Sequence, residues 1–182
     1  MAKDKAARDA GRILLVDDEE IIRESLGEFL QGHGFKVLLA DSCDAAVRVL
    51  MGDEEIEAVI CDMKMPGKSG LDVLAYINNK RLNIPLVFLT GHGTLATCQK
   101  AVREGAFDYI LKPAEEEDRV IFPLKHAVEK YRLEKKNRQM RQDIVRMVDD
   151  LENTLDSVLA EATDKDALEA RISEILHRHE DT

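Results

Sequence analysis

Residues 13–20 read ILLVDDEE. Four apolar residues lead straight into four carboxylates. A short continuous apolar run suits a strand buried on both faces of a parallel sheet. The charged end is harder to account for. Two like charges about 4 Å apart repel by about 4 kcal/mol at an effective dielectric near 20. A chain that places acids there needs a compensating charge at the same spot.

Four further runs share the pattern: KVLLA (36–40), EAVICD (57–62), IPLVFLT (84–90) and DYILK (108–112), after RILLVD at 12–17. Helical spacing falls between them at 19–32, 42–52, 70–80 and 94–104. Ile21, Ile22, Leu26, Phe29 and Leu30 form one apolar face, and Gly32 and Gly34 mark its end. Ser42 and Thr94 are N-cap candidates. Strand-then-helix units in this order give an α/β fold: a doubly wound, five-stranded parallel sheet with right-handed crossovers.

Composition narrows the function. The 182 residues are 45% hydrophobic and only 4% aromatic, with no Trp, so the core should be aliphatic. A net charge of −10 makes a nucleic-acid-binding role for the whole chain unexpected. Cys43, Cys61 and Cys98 form no CxxC pair and no disulfide framework, which fits a reducing, cytoplasmic setting. The polar start MAKDKAARDAGR has no apolar core of a signal peptide, and no run is long enough to span a membrane. The expected organisation is a flexible 1–10, a globular domain over 11–123, a long helix over 124–162 and a short helix over 163–182 capped by Thr163 and Asp164.

In open α/β sheets, ligands bind beyond the carboxyl ends of the strands, where the strand order switches direction. Here those ends are Asp17-Asp18, Asp62, Thr90 and Lys112-Pro113. Any one has a bland explanation. Asp17, Asp18 and Glu19 could simply favour a helix N-terminus, and Asp62 could be a turn residue. Together they place carboxylates, a hydroxyl and an amine on one rim. A hard cation such as Mg²⁺ would relieve the repulsion. Beside it, an aspartate can act as a covalent nucleophile toward phosphorus, with the metal and lysine neutralising the phosphoryl oxygens.

VDDEE, ICDMKMPGKSG, LTGHG and YILKP also occur in the order, and near the spacing, of the receiver domain of two-component response regulators, which the chain resembles over roughly 11–130. The resemblance implies a flavodoxin-like sheet of order 2-1-3-4-5. It implies that Asp62 is the phosphoacceptor, and that Asp18, Asp62 and the backbone carbonyl of Lys64 bind Mg²⁺, with Asp17 assisting through water. Thr90 would be the switch hydroxyl, Lys112 the phosphate-binding amine, Tyr109 the switch aromatic, and Pro113 would follow a cis peptide. Lys64 and His92 occupy the positions where the family tunes phosphoryl lifetime. Pro66-Gly67 and Gly70 match the loop after the acceptor. The implied partners are a histidine kinase or phosphotransfer protein and a downstream protein target.

Alternatives stay in view. A magnesium-dependent phosphatase using an aspartyl phosphate would need an acid two residues past the nucleophile, where Lys64 stands. A constitutive scaffold with an inactive receiver would never take up phosphate. The basic helix 125–146 could touch DNA.

That helix has segregated charge. Residues 125–146 carry eight bases and three acids, net +5, whereas 147–164 carry six acids and no base, net −6. Ile144, Val148, Leu151, Leu155, Val158 and Ala162 step by four and three, a heptad seam that fits a homodimer. A parallel pair sets like charge on like. An antiparallel pair sets opposite halves together, and a hairpin with the last helix would cover the seam within one chain.

Overall fold

The computed structural model describes residues 9–52, 54–91, 95–112 and 117–180, without the side chains of 95–98, 117, 161–168 and 171–180. Five strands form one parallel sheet: β1 (Gly11–Val16), β2 (Phe35–Ala40), β3 (Ala58–Cys61), β4 (Leu86–Thr90) and β5 (Asp108–Leu111). Their order is β2-β1-β3-β4-β5. Between them lie α1 (Glu20–Gly32), α2 (Cys43–Leu50), α3 (Gly70–Asn79) and α4 (Leu95–Arg103), and α5 (Glu117–Glu180) follows β5. The flavodoxin-like topology expected from the sequence is the one observed.

Period-two alternation explains why the strands read as unbroken apolar runs. Leu14, Val16, Val59, Cys61, Leu86 and Phe88 face one layer, packing with Val73, Leu74 and Ile77 of α3 and Ala46 of α2. Ile13, Leu15, Ala58, Ile60, Val87 and Leu89 face the other, against Leu30 of α1 and Val120, Ile121, Leu124, Ala127 and Val128 of α5. Because β1 is paired on both sides, register fixes where every strand stops: Val16 lies opposite both Ala40 and Cys61. The acids that follow β1 and β3 therefore emerge side by side.

Local chemistry sets the helix ends. Ser42 Oγ accepts from Ala45 N–H at 3.3 Å, the expected N-cap. Ser69 and Asp72 form a capping box at the start of α3. Thr94, the other expected cap, and residues 1–8 of the expected flexible N-terminus lie outside the described residues. Asp9 and Ala10 are held in place: Ala10 N–H donates to Gly34 and Ala10 packs on the core.

The end of the chain differs from the sequence expectation. α5 begins at Glu117, not 124, and contains Pro123. Proline forfeits one backbone bond inside a helix, but burial of Val120, Ile121 and Leu124 on the sheet offsets the loss. No second helix starts at 163, because the backbone stays helical to Glu180. Thr163 and Asp164 favour caps, but no Gly or Pro follows to force a break, and either is tolerated mid-helix at under about 1 kcal/mol. A hairpin turn there is absent. Backbone contacts divide the chain into two units, Met1–Glu134 and Lys135–Thr182.

Within the first unit α5 is fastened at the rim opposite the acids. Glu57, one residue before β3, accepts from Arg12 N–H at 2.7 Å and from Arg132 Nη2 at 3.0 Å, and pairs with Arg132 Nε. Replacing Glu57 by Ala leaves a backbone donor and a guanidinium without their acceptor. Urea unfolding should show a loss of about 1–3 kcal/mol, larger than for Arg132→Ala, whose side chain is half in water.

Candidate functional site

Three of the five strands hand their last backbone bonds to a residue of the site. Asp17 N–H donates to Ala40 (3.1 Å), Asp62 N–H to Val16 (2.8 Å) and Lys112 N–H to Thr90 (2.9 Å). The ladders continue one residue past β1, β3 and β5, so Asp17, Asp62 and Lys112 stand on one rim. The crevice between β1 and β3 is the point where strand order reverses.

Lys112 reaches across it. Its Nζ lies 2.8 Å from Asp17 Oδ2 and 3.9 Å from Asp62 Oδ1. The other Asp17 oxygen accepts from Glu19 N–H at 3.0 Å, and the Asp17 backbone carbonyl accepts from Arg23 Nη1 at 2.7 Å. Asp17 is buried, its carboxylate committed to Lys112 and Glu19. Thr90 is buried at the end of β4. Asp18 and Asp62 are half-buried, and Lys64 is exposed on the loop after Asp62.

Burial raises the Asp62 pKa above the ordinary carboxylate value. The negative charge of Asp17 adds to this, while Lys112 and the N–H groups of Met63 and Lys64 oppose it. Behind Asp62 there is no slack. A Cβ on Gly70 would lie 2.3 Å from the Asp62 carbonyl oxygen and 2.8 Å from Phe88 Cε1. Gly70 N–H instead donates to Met63 at 3.1 Å, seating α3 directly on the loop after Asp62. Lys68 Nζ, 2.6 Å from Asp44 Oδ1, ties that loop to α2.

The structure thus brings together Asp17, Asp62 and Lys112, with Asp18 next in the chain and Thr90 on the adjacent strand. Tyr109 is half-buried on β5, beside Leu111, Arg119 and Pro123. His92 and Pro113 lie outside the described residues. Among the described residues no three His, Cys, Asp or Glu side chains form a metal-holding cluster. Asp17 is turned to Lys112 instead. The remaining donors are all hard oxygens, the carboxylates of Asp18 and Asp62 and nearby backbone carbonyls. Such a set fits Mg²⁺, which keeps several waters and needs only one or two carboxylates. The sequence reading missed Arg23, Glu57 and the Lys68–Asp44 pair. A basic residue in the first turn of α1, against the helix dipole, was the only signal for Arg23.

The family model of the response regulator receiver domain matches residues 13–121. The chain belongs to the response regulator receiver family. It is 33% identical over 135 residues to an NtrX-like response regulator of Rickettsia bellii, covering 73% of this chain and 28% of that one. It is 31% identical over 138 residues to the transcriptional regulatory protein FixJ of Bradyrhizobium diazoefficiens, covering 76% and 66%. A solved receiver domain protein of Clostridium thermocellum matches with a TM-score of 0.64 at 34% identity, covering 68% of this chain and 98% of that one. The receiver is therefore the shared part, in the fold of two-component phosphorelay signalling proteins. No helix among the described residues is long and apolar enough to cross a membrane.

The raised Asp62 pKa has a direct consequence for the receiver. As pH rises through the ordinary carboxylate range, the unfolded chain loses its Asp62 proton before the native state does. Native stability attached to this group is present at low pH and declines as pH climbs to the raised value. Asp62→Asn mimics the protonated form. Without divalent cation, its stability advantage over the wild type should grow with pH in urea titrations from acid to neutral. An advantage that shrank with pH would contradict this placement of charge.

Proposed function

We propose that this receiver accepts a phosphoryl group on Asp62 from the phosphohistidine of a histidine kinase or phosphotransfer protein. The observation that carries the reading is the Lys112 ammonium, poised between Asp17 and Asp62 at the strand tips. The Asp62 carboxylate oxygen attacks phosphorus, the phosphorus–nitrogen bond of the donor breaks, and the donor imidazole, already protonated on its other ring nitrogen, leaves as the neutral base. Asp18, Asp62 and the Lys64 carbonyl would hold Mg²⁺, with Asp17 acting through water. The cation supplies Lewis-acid neutralisation of the transferring group. Lys112 supplies a fixed positive charge from the other side.

Thr90 is buried one strand away, with a hydroxyl able to hydrogen-bond the attached phosphoryl group. Its movement would draw Tyr109 inward and repack the surface formed by α4, β5 and α5, the face offered to a downstream protein target. Autodephosphorylation would be tuned by Lys64, exposed beside the acceptor, and by His92. Direct DNA contact by the tail is disfavoured by its acidic half. Fewer than a third of the residues of the NtrX-like relative are matched, so kinase, target and output belong to this proposal.

Intact-mass measurement with acetyl phosphate and Mg²⁺ tests the reading. The wild type should gain one phosphoryl mass and Asp62→Ala none. Lys112→Ala should slow the gain by about a hundredfold or more. An Asp62→Ala chain that still gains the mass would overturn the assignment. Exchanging Lys64 or His92 should alter the decay rate of the phosphorylated protein while leaving its formation intact, read by the same mass assay over time.

A further inference from the structure

The second unit, Lys135–Thr182, is helical without a turn through its described residues, to Glu180, and it carries an apolar stripe in water. Ile144, Val148, Leu151, Leu155 and Val158 are each between 46% and 64% exposed. Val145 and Met147 flank them and are exposed as well. None belongs to either core cluster. Steps of four and three place the five along one seam of the helix.

Charge along this helix is segregated, with a basic segment over 135–146 followed by an acidic one over 147–164. Helical stability of such a segment comes from burying an apolar face. The chain does not fold back at 163 to cover the seam, since the backbone is helical through that point.

We infer that the seam is covered by the same seam of a second copy, antiparallel, about a two-fold axis crossing between Asp149 and Asp150. Charge decides the orientation. In this register Val148 meets Leu151 of the second copy, and Ile144 meets Leu155. Residues 135–146, with five bases and one acid, lie alongside 153–164, with three acids and no base. A parallel, in-register pair sets every one of these charges beside its own copy, well within a Debye length. Asp149 and Asp150, which meet near the axis, sit at outer positions of the heptad and stay in water. The interface is isologous and closes at two chains. It does not rest on the phosphorelay reading.

Sedimentation of the full chain should show a dimer. Leu151→Asp should convert it to a monomer, with the first unit's cooperative unfolding retained as the check on folding. Arg138→Glu with Arg141→Glu should weaken association roughly tenfold, and adding Glu161→Lys with Asp164→Lys should restore it. In a chain with Cys43, Cys61 and Cys98 replaced by Ala, a mixture of Arg141→Cys and Val158→Cys should cross-link, whereas Arg141→Cys alone should not. A monomeric wild type, a higher oligomer, efficient linkage through Arg141→Cys alone, or failure of the charge rescue would each overturn the proposal.

Discussion

One ammonium group reconciles two carboxylates that the fold forces together. Parallel pairing of β1 with β3 leaves Asp17 and Asp62 no choice but to emerge as neighbours, since their backbone bonds are part of the ladder. Like charges at that distance would repel and take up protons. Lys112, delivered from the far strand β5, lies within reach of both. The site is thus assembled across the width of the sheet, and its integrity depends on β4 lying correctly between β3 and β5. Binding chemistry and fold topology are the same constraint seen at two scales.

The lysine is not shared equally. It sits closer to Asp17, which is buried and also receives Glu19 N–H. Asp62 keeps a longer contact and a raised pKa. This asymmetry suits a division of labour. Asp17 is a fixed anchor that positions the cation of Lys112, whereas Asp62 is the less committed carboxylate, which is what the proposed roles of phosphoacceptor and metal ligand require. Gly70 adds rigidity from below, because nothing larger fits against the Asp62 carbonyl.

Much of this was legible in the sequence because period-two burial on both faces leaves an unmistakable trace. The five apolar runs became the five strands, and the residues just past their ends became the rim. The α1, α2 and α3 spans shifted by only a few residues, and Ser42 capped as its chemistry required. What was not legible is long-range pairing. Lys112 with Asp17 spans 95 residues of sequence and Arg132 with Glu57 spans 75, and no periodicity encodes either. The end of the chain failed for a different reason. Pro123 and Thr163-Asp164 are local signals for helix boundaries, yet apolar burial carried α5 through the first, and nothing compelled a stop at the second.

Cys61 sits immediately before Asp62, fully buried, with its Sγ donating to the Asp62 carbonyl at 3.1 Å. Burial, helped by the neighbouring carboxylates, drives its thiol pKa well upward. An acyl phosphate is an activated carboxylic acid, and a thiolate is among the nucleophiles best able to intercept one. Were Asp62 to carry a phosphoryl group as proposed, a neutral thiol turned into the packed layer under α3 would not divert the activated carboxyl into a thioester. Water and dedicated partners would then be the routes by which that group is discharged.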